Sequence, residues 1–425
     1  MQEVSLRSYV RLVRGNANFR RLWLAQIVSE LGDWLYAVAV YSLLLEYTGS
    51  AKAVATAFVL QTLPQFFVSP AAGILNDRLR RKQVMIAADC LRAAVVFGML
   101  FMRQPSLVWL MYLLLFLETV LWAFFEPGRN AVIPNIVQPE EVAAANALSS
   151  TTWSFNFVMG FAVGGVLAAY FGRDVVFVLN TLSFVFSAGL IARMRFAEPH
   201  AENQPPFRFA ELFDFQPIRD GMAYVWKSSN LRYTIFVKAG LGLMATNWVL
   251  LPILGERVFR IYHFGFSKAG FSQDKAGMLG MSLLMASRGV GAILGPLLAV
   301  RWAGNSQHRM RWGILIAFVA GGIGYLALSV SQTVWVASMA IVLAHAGGAV
   351  LWVFSATLLQ LGTEDSLRGR VFSADFAFMV VVMSISSYLA GVLIDDGFTV
   401  ASVAAGTGCA MLAAGAAWWL TLRSA

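Results

Sequence analysis

Apolar residues in this 425-residue chain come in long unbroken runs, not at the alternating three-and-four spacing of a helix that keeps one face in water. Each run is about 20 residues, enough to cross a hydrocarbon layer of roughly 30 Å as a helix. Placed between loop charges and Gly or Pro punctuation, the runs predict helices at 22–46, 52–76, 83–102, 106–128, 143–169 and 174–194. A second set is predicted at 233–256, 276–301, 310–331, 334–360, 371–393 and 399–422. The expected organisation is an N-terminal six-helix bundle over 1–195, a cytoplasmic linker over 196–231 and a C-terminal six-helix bundle over 232–425. The linker is the only extended polar stretch and carries Pro199, Pro205, Pro206, Arg208, Arg219 and Lys227. A second non-spanning piece, 257–275, holds Arg257, Arg260, His263, Lys268 and Lys275 among aromatics; an interfacial helix or lid and a plain loop fit it equally.

Composition agrees with a membrane as the main solvent. Hydrophobic residues make up 58% of the chain and charged residues 13%, about half the charge of an average soluble domain. The formal charge is +9, and its placement argues against a nucleic-acid partner. Of the 32 Lys and Arg, 22 fall on one side of the twelve-helix arrangement, seven on the other, and Arg92, Lys238 and Arg288 inside helices. Because Lys and Arg gather in cytoplasmic loops, both termini are expected in the cytoplasm. Arg7, Arg11, Arg14, Arg20 and Arg21 precede a long first run with no small-residue cleavage site, so an uncleaved first helix is expected. Cys90 and Cys409 both lie in apolar runs and support neither a disulfide framework nor a metal site. No phosphate loop and no enzymatic motif occurs, so a nucleotide-driven pump, an enzyme and a cofactor are not expected.

A weak internal repeat supports the division into halves. Pro70 near the end of the second helix corresponds to Pro296 near the end of the eighth, 226 residues later. Duplicated halves are common in transport folds.

Ionisable residues inside apolar helices are expensive to bury and are functional candidates for that reason. Glu30 and Asp33 are three apart on the first helix, hence on neighbouring positions of one face. Two carboxylates in one low-dielectric cavity repel, which favours binding of a proton by one of them; a carboxylate permanently held by a Lys or Arg is the plainer alternative. Glu118 and Arg288 fall near the middle of the fourth and eighth helices and are candidates for a substrate cavity, Glu118 also for proton coupling. Lys238 and His345 are weaker cavity candidates. Asp89 and Arg92, three apart, are expected to form a structural charge pair, and Glu126, Arg129 and Asp375 to act in gating near the cytoplasmic side.

The most specific local signal is Gly73-Ile-Leu-Asn-Asp77-Arg78-Leu-Arg80-Arg81-Lys82. It resembles the major facilitator superfamily pattern G-x-L-x-D-R-x-G-R-[RK], matching at Gly73, Leu75, Asp77, Arg78, Arg81 and Lys82 and departing at Arg80, where the family usually has Gly. The resemblance implies twelve helices in two pseudo-symmetric bundles, and a conformational latch at Gly73, Asp77, Arg78, Arg81 and Lys82 that holds the outward-facing state. The corresponding second-half loop, Arg301 to Arg311, lacks the pattern. Ser29 to Asp33, Asp89 to Ala93, Pro127 to Pro134 leading to Asn146, and Leu367 to Val371 resemble the branch that includes macrolide-efflux and enterobactin-exporter-like proteins. Gly160, Gly164 and Gly165 are similar to the glycine-rich motif of drug antiporters, with Phe161 in place of Pro; small residues that merely permit close helix packing are an equal reading. What the branch implies is a monomeric, proton-coupled exporter of amphipathic small molecules in the inner membrane of a bacterium. A lipid or lysophospholipid translocator on the same fold, and a non-transporting receptor or assembly protein, are the alternatives.

Overall fold

The computed structural model describes residues 6–201, 216–265, 270–364 and 367–423. Within them twelve helices are long and apolar enough to span a membrane. The expected linker residues Pro205, Pro206 and Arg208 and the expected loop residue Lys268 lie outside the described residues. The helices are α1 (Leu6–Gly15), α2 (Ala17–Thr48), α3 (Ala51–Arg78), α4 (Arg81–Gly98), α5 (Val108–Ile136), α6 (Val142–Phe171), α7 (Arg173–Ala192) and α8 (Gln216–Lys227). They continue with α9 (Ser229–Leu243), α10 (Asn247–Ile253), α11 (Gln273–Ala303), α12 (Gln307–Ser329), α13 (Val334–Gly362), α14 (Arg368–Asp395) and α15 (Val400–Arg423). Among the described residues there are no strands.

The ends of these helices follow from local chemistry. Ser306 and Thr333 accept the backbone N–H of Arg309 and Val336 through their hydroxyls, satisfying donors that the first turns of α12 and α13 leave over. At the other end of α2, Gly49 takes a φ of +62°, a left-handed conformation that only glycine adopts cheaply, and the chain turns into α3. Side chains as large as Trp109 and Leu298 are exposed, on surfaces that a bilayer covers.

Two expectations change. The fourth spanning helix was expected to stop at 128, yet α5 runs through Pro127 and Pro134 to Ile136, so Arg129 is a buried helical residue, not a loop cation. Proline is tolerated inside a spanning helix where side chains, waters or neighbouring helices satisfy the carbonyls it leaves unbonded. The seventh span is not one regular helix. Between α9 and α10 lies a 3-10 turn, Met244–Thr246, and a π turn, Leu254–Val258, follows α10. Pro252 supplies no backbone donor, and the Met244 carbonyl accepts from Asn247 Nδ2 and Tyr325 Oη. Of the two readings that the sequence leaves open for 257–275, the described part between the π turn and α11 is a loop. Its strands of chain are tied by Ile261 N to Ala276 O and Phe271 N to Tyr262 O.

By contact the chain divides into two compact units, residues 1–39 with 64–214 and residues 40–63 with 215–425. The first packs α4 against α5 and α7, with a core that includes Phe19, Met85, Phe125, Val132 and Ile191. The second packs α12 and α11 against α13, and α15 against α12. It also contains the turn between α2 and α3. There Asp395, at the end of α14, accepts from Ser50 Oγ at 2.5 Å, Ala51 N at 2.8 Å and Lys52 N at 3.0 Å. A carboxylate at a helix N-terminus meets both free N–H groups and the positive end of the helix dipole.

Candidate functional site

Arg92 on α4 is the centre of the first unit's chemistry. A guanidinium offers five donors in one plane, and here, 1% exposed, it collects carboxylates from three helices. Its Nη2 lies 2.6 Å from Asp33 Oδ2 of α2 and 2.8 Å from Glu118 Oε1 of α5, which also accepts from Nε at 3.0 Å. Asp89, one turn earlier on α4 and wholly buried, forms a longer ion pair of 3.6 Å through Nη1. The guanidinium carbon sits 4.1 Å from the centre of the Phe184 ring and 5.9 Å from that of Phe125. An aromatic face attracts a cation that has lost its water. One positive charge thus faces three carboxylates. Asp33 has the most exposed side chain of the three carboxylates, 19% against 10% for Glu118, and its Oδ1 is buried with no hydrogen-bond partner among the described residues.

Asp89 and Arg92, expected as a charge pair, are therefore part of a group of four. Glu30 belongs elsewhere. Its two oxygens accept from Gln26 Nε2 at 2.9 Å and Asn156 Nδ2 at 3.2 Å. Arg129 Nη2 is 4.0 Å from it and is bonded chiefly to Glu126, with Nε 3.0 Å from Oε2 and Nη2 on Oε1. Asp33 and Glu30 thus share no partner among the contacts of the described residues, and Glu126 and Arg129 border Glu30. Gln26 and Asn156 were not singled out in the sequence; each is 1% exposed. A neutral amide in an apolar run is their only signal there.

The latch residues occupy the end of α3 and the start of α4. The Asp77 side chain is 76% exposed and lies 3.5 Å from Arg81. Arg81 also donates to the carbonyls of Asn76 and Ala131, each at 3.1 Å, and Lys82 Nζ donates to the Met194 carbonyl at 2.7 Å. A Cβ placed on Gly73 would meet nothing within 4 Å, so in this conformation the glycine makes no close helix approach. Asn76, inside the same motif, does bind tightly, donating to the carbonyls of Ala72 and Phe124 at 2.9 Å each. On α6, Gly160 and Gly164 face Trp34 and Leu35 of α2; a Cβ on Gly164 would stand 2.6 Å from the Leu35 carbonyl oxygen.

In the second unit Lys238 and Asp375, expected in different roles, form one buried ion pair of 3.1 Å. Arg288 lies with its guanidinium 4.4 Å from the Trp248 ring centre, and Trp248 in turn stacks on Phe58 at 5.0 Å. Tyr325 Oη is 3.5 Å from His345 Nε2, which joins His345 to the same neighbourhood.

The profile of the transmembrane secretion effector family matches residues 13–424. Macrolide efflux protein A of Streptococcus pyogenes is 30% identical over 181 residues, 42% of this chain and 44% of that protein. A Bacillus subtilis protein named as a bacilysin exporter, BacE, is 22% identical over 378 residues, 88% of each chain. The solved structure of the nucleoside transporter NupG superposes with a TM-score of 0.73 at 11% identity, over 95% of this chain and 98% of that one. Twelve spanning helices, charges buried within them and a family match over nearly the whole length lead to one assignment: the chain is a multi-pass membrane transporter, not an enzyme, and belongs to the transmembrane secretion effector family of the major facilitator superfamily.

Proposed function

We propose that the protein exports amphipathic small molecules across the cytoplasmic membrane of a bacterium, as a monomer, in exchange for protons. The observation that carries proton coupling is the gathering of three carboxylates on the single buried Arg92. With all three ionised, two negative charges lack compensation, and each ion kept out of water costs several kcal/mol. A bound proton removes that cost, and its loss restores it. Asp33, the most exposed of the three, is the entry point. When its carboxylate is protonated, the bond to Arg92 weakens and Arg92 turns more fully to Glu118 and Asp89. The outward direction is supported by the efflux and exporter names of the two relatives.

The working arrangement in this reading is alternating access between a bundle at 1–195 and a bundle at 232–425, joined by the linker 196–231, with both termini cytoplasmic. The Asp77 loop favours the outward-facing form. Arg288 and His345 contribute to substrate contact, as does Glu118 when its carboxylate is released from Arg92. The test is uptake into inverted membrane vesicles across a panel of antibiotics and siderophores, with and without an imposed pH gradient. Accumulation that requires the gradient supports the proposal, and accumulation indifferent to it for every transported solute removes proton exchange.

A further inference from the structure

The first unit's arrangement, a buried cation between carboxylate and aromatic face, recurs in the second unit with different residues. Lys238 of α9 and Asp375 of α14 lie 3.1 Å apart, their side chains 3% and 4% exposed. The other side of the ammonium rests on Trp352 of α13, 3.9 Å from the ring centre. Asp375 uses only one of its oxygens. Its Oδ1 is buried and has no hydrogen-bond partner among the described residues. A buried ion pair offsets its desolvation only when the remaining lone pairs and protons are also satisfied, and here one carboxylate oxygen is left over.

The groups that could satisfy it otherwise are accounted for. α14 packs against α8, α9, α10, α15 and the 3-10 turn Met244–Thr246. α8 brings Arg219, Asp220, Tyr224 and Lys227, of which Asp220 pairs with the exposed Arg370 at 3.4 Å. Besides Lys238, α9 brings Tyr233 and Arg232, the latter over Trp226 at 5.9 Å. The 3-10 turn and α10 bring no ionisable side chain, and α15 brings Cys409 ahead of its terminal Arg423. On α14 itself stand Arg368, Arg370, Tyr388 and Asp395. Lys52 of α3 meets α14 at Gly391 and Asp395, about 24 Å and more along the helix from Asp375. Among the described residues the charge acting on Asp375 is that of Lys238.

We infer that Asp375 is a second proton-binding site, so that each unit carries a protonatable carboxylate held against a cation on an aromatic face. This rests on the proton-exchange reading and adds to it a site and a stoichiometry. The step is a simple one: a proton from water forms an O–H bond at Oδ1, and the pair changes from neutral to a single positive charge. Release of the proton re-forms the ion pair.

The experiment is infrared difference spectroscopy of the purified full-length protein in lipid nanodiscs, between acid and alkaline buffer, with proton uptake counted by an indicator dye. Wild type should show a carbonyl band from a protonated buried carboxylic acid that Asp375→Asn removes, with the loss of one proton per molecule. Asp33→Asn should remove a separate band and leave this one. In Lys238→Met the Asp375 band should persist in alkaline buffer, because a lone carboxylate at this depth has no cation to stay ionised beside. Should Asp375→Asn fold poorly, the Lys238→Met and Asp375→Asn double variant, which is neutral like the native pair, replaces it. An unchanged spectrum and proton count in the Asp375 variants would overturn this site. If the Asp375 band is lost as expected but no solute moves with the pH gradient, the export reading fails and the site stands. If gradient-driven export depends on Asp33 while the Asp375 band is absent from wild type, only the second site fails.

Discussion

Asp33 is partly exposed and Asp89 wholly buried, and that difference separates two carboxylates paired with the same guanidinium. Replacing Asp33 with Asn keeps the volume and removes the titrating group, so pH-gradient-driven export should be abolished while the protein still folds and inserts. Full gradient-driven transport in both Asp33→Asn and Glu30→Gln would move the coupling site off α2 and onto Glu118. Arg92→Leu has a different expected effect, since it leaves three carboxylates buried without their cation. That loss should cost about 3–5 kcal/mol, read as a lower unfolding temperature in detergent, with part of it recovered when Asp33→Asn and Glu118→Gln are added. Each member of this group was legible in the sequence because a charge stands out in an apolar run. Their meeting was not. Positions three apart on a helix are turned from each other by about 60°, enough for Asp33 to reach α4 and α5 while Glu30 reaches Gln26 and Asn156.

Helices α2 and α6 approach so closely at Gly160 and Gly164 that the space for a side chain is already filled by Trp34 and Leu35. Gly164→Val should therefore force the helices apart at a cost of about 1–3 kcal/mol, measurable by thermal unfolding, whereas a change at the open Gly73 should leave stability unaltered. The glycine spacing was visible in the sequence, and its partner helix was not. For the loop after α3, Asp77→Asn should remove charge-assisted contacts worth about 1.5–3 kcal/mol each in the closed cytoplasmic form. Distances between labelled cytoplasmic helix ends should then shift toward the inward-facing population, and an unshifted distribution would count against the latch. Boundaries read from proline failed at α5 because proline marks a helix end most reliably where water can solvate the freed carbonyl. Pro127 is half-buried and Pro134 exposed, but Gly128, Arg129, Val132, Ile133 and Ile136 beside them are buried, and the packing of that face carries the helix past both prolines.

Charge placement over the whole chain predicts cytoplasmic termini and cytoplasmic loops at Arg80 and Arg309. With Cys90 and Cys409 replaced by Ser, single cysteines at either loop should react with a membrane-impermeant maleimide only in inverted vesicles; ready labelling from outside intact cells would overturn the topology. All twelve spans were legible because length and apolarity alone decide whether a segment can cross a bilayer. The grouping of residues 40–63 with 215–425 was not. It depends on which helices touch, and hydropathy carries no record of that when every span is apolar.

The Asp395 carboxylate that caps α3 is encoded 343 to 345 residues after the groups it binds. At synthesis rates of roughly 5–20 residues per second, about 20–70 s separate the emergence of the first hairpin from that of its cap. During that interval the turn at Gly49 and Ser50 is held by local bonds, chiefly Gly49 N to Leu45 O and Ser50 N to Thr48 Oγ1, joined once Arg257 has emerged by its Nη2 on the Gly49 carbonyl. The first hairpin to enter the membrane is thus among the last to be completed, and nascent chains that stop short of α14 should leave a cysteine at Ser50 open to labelling that the full-length protein hinders.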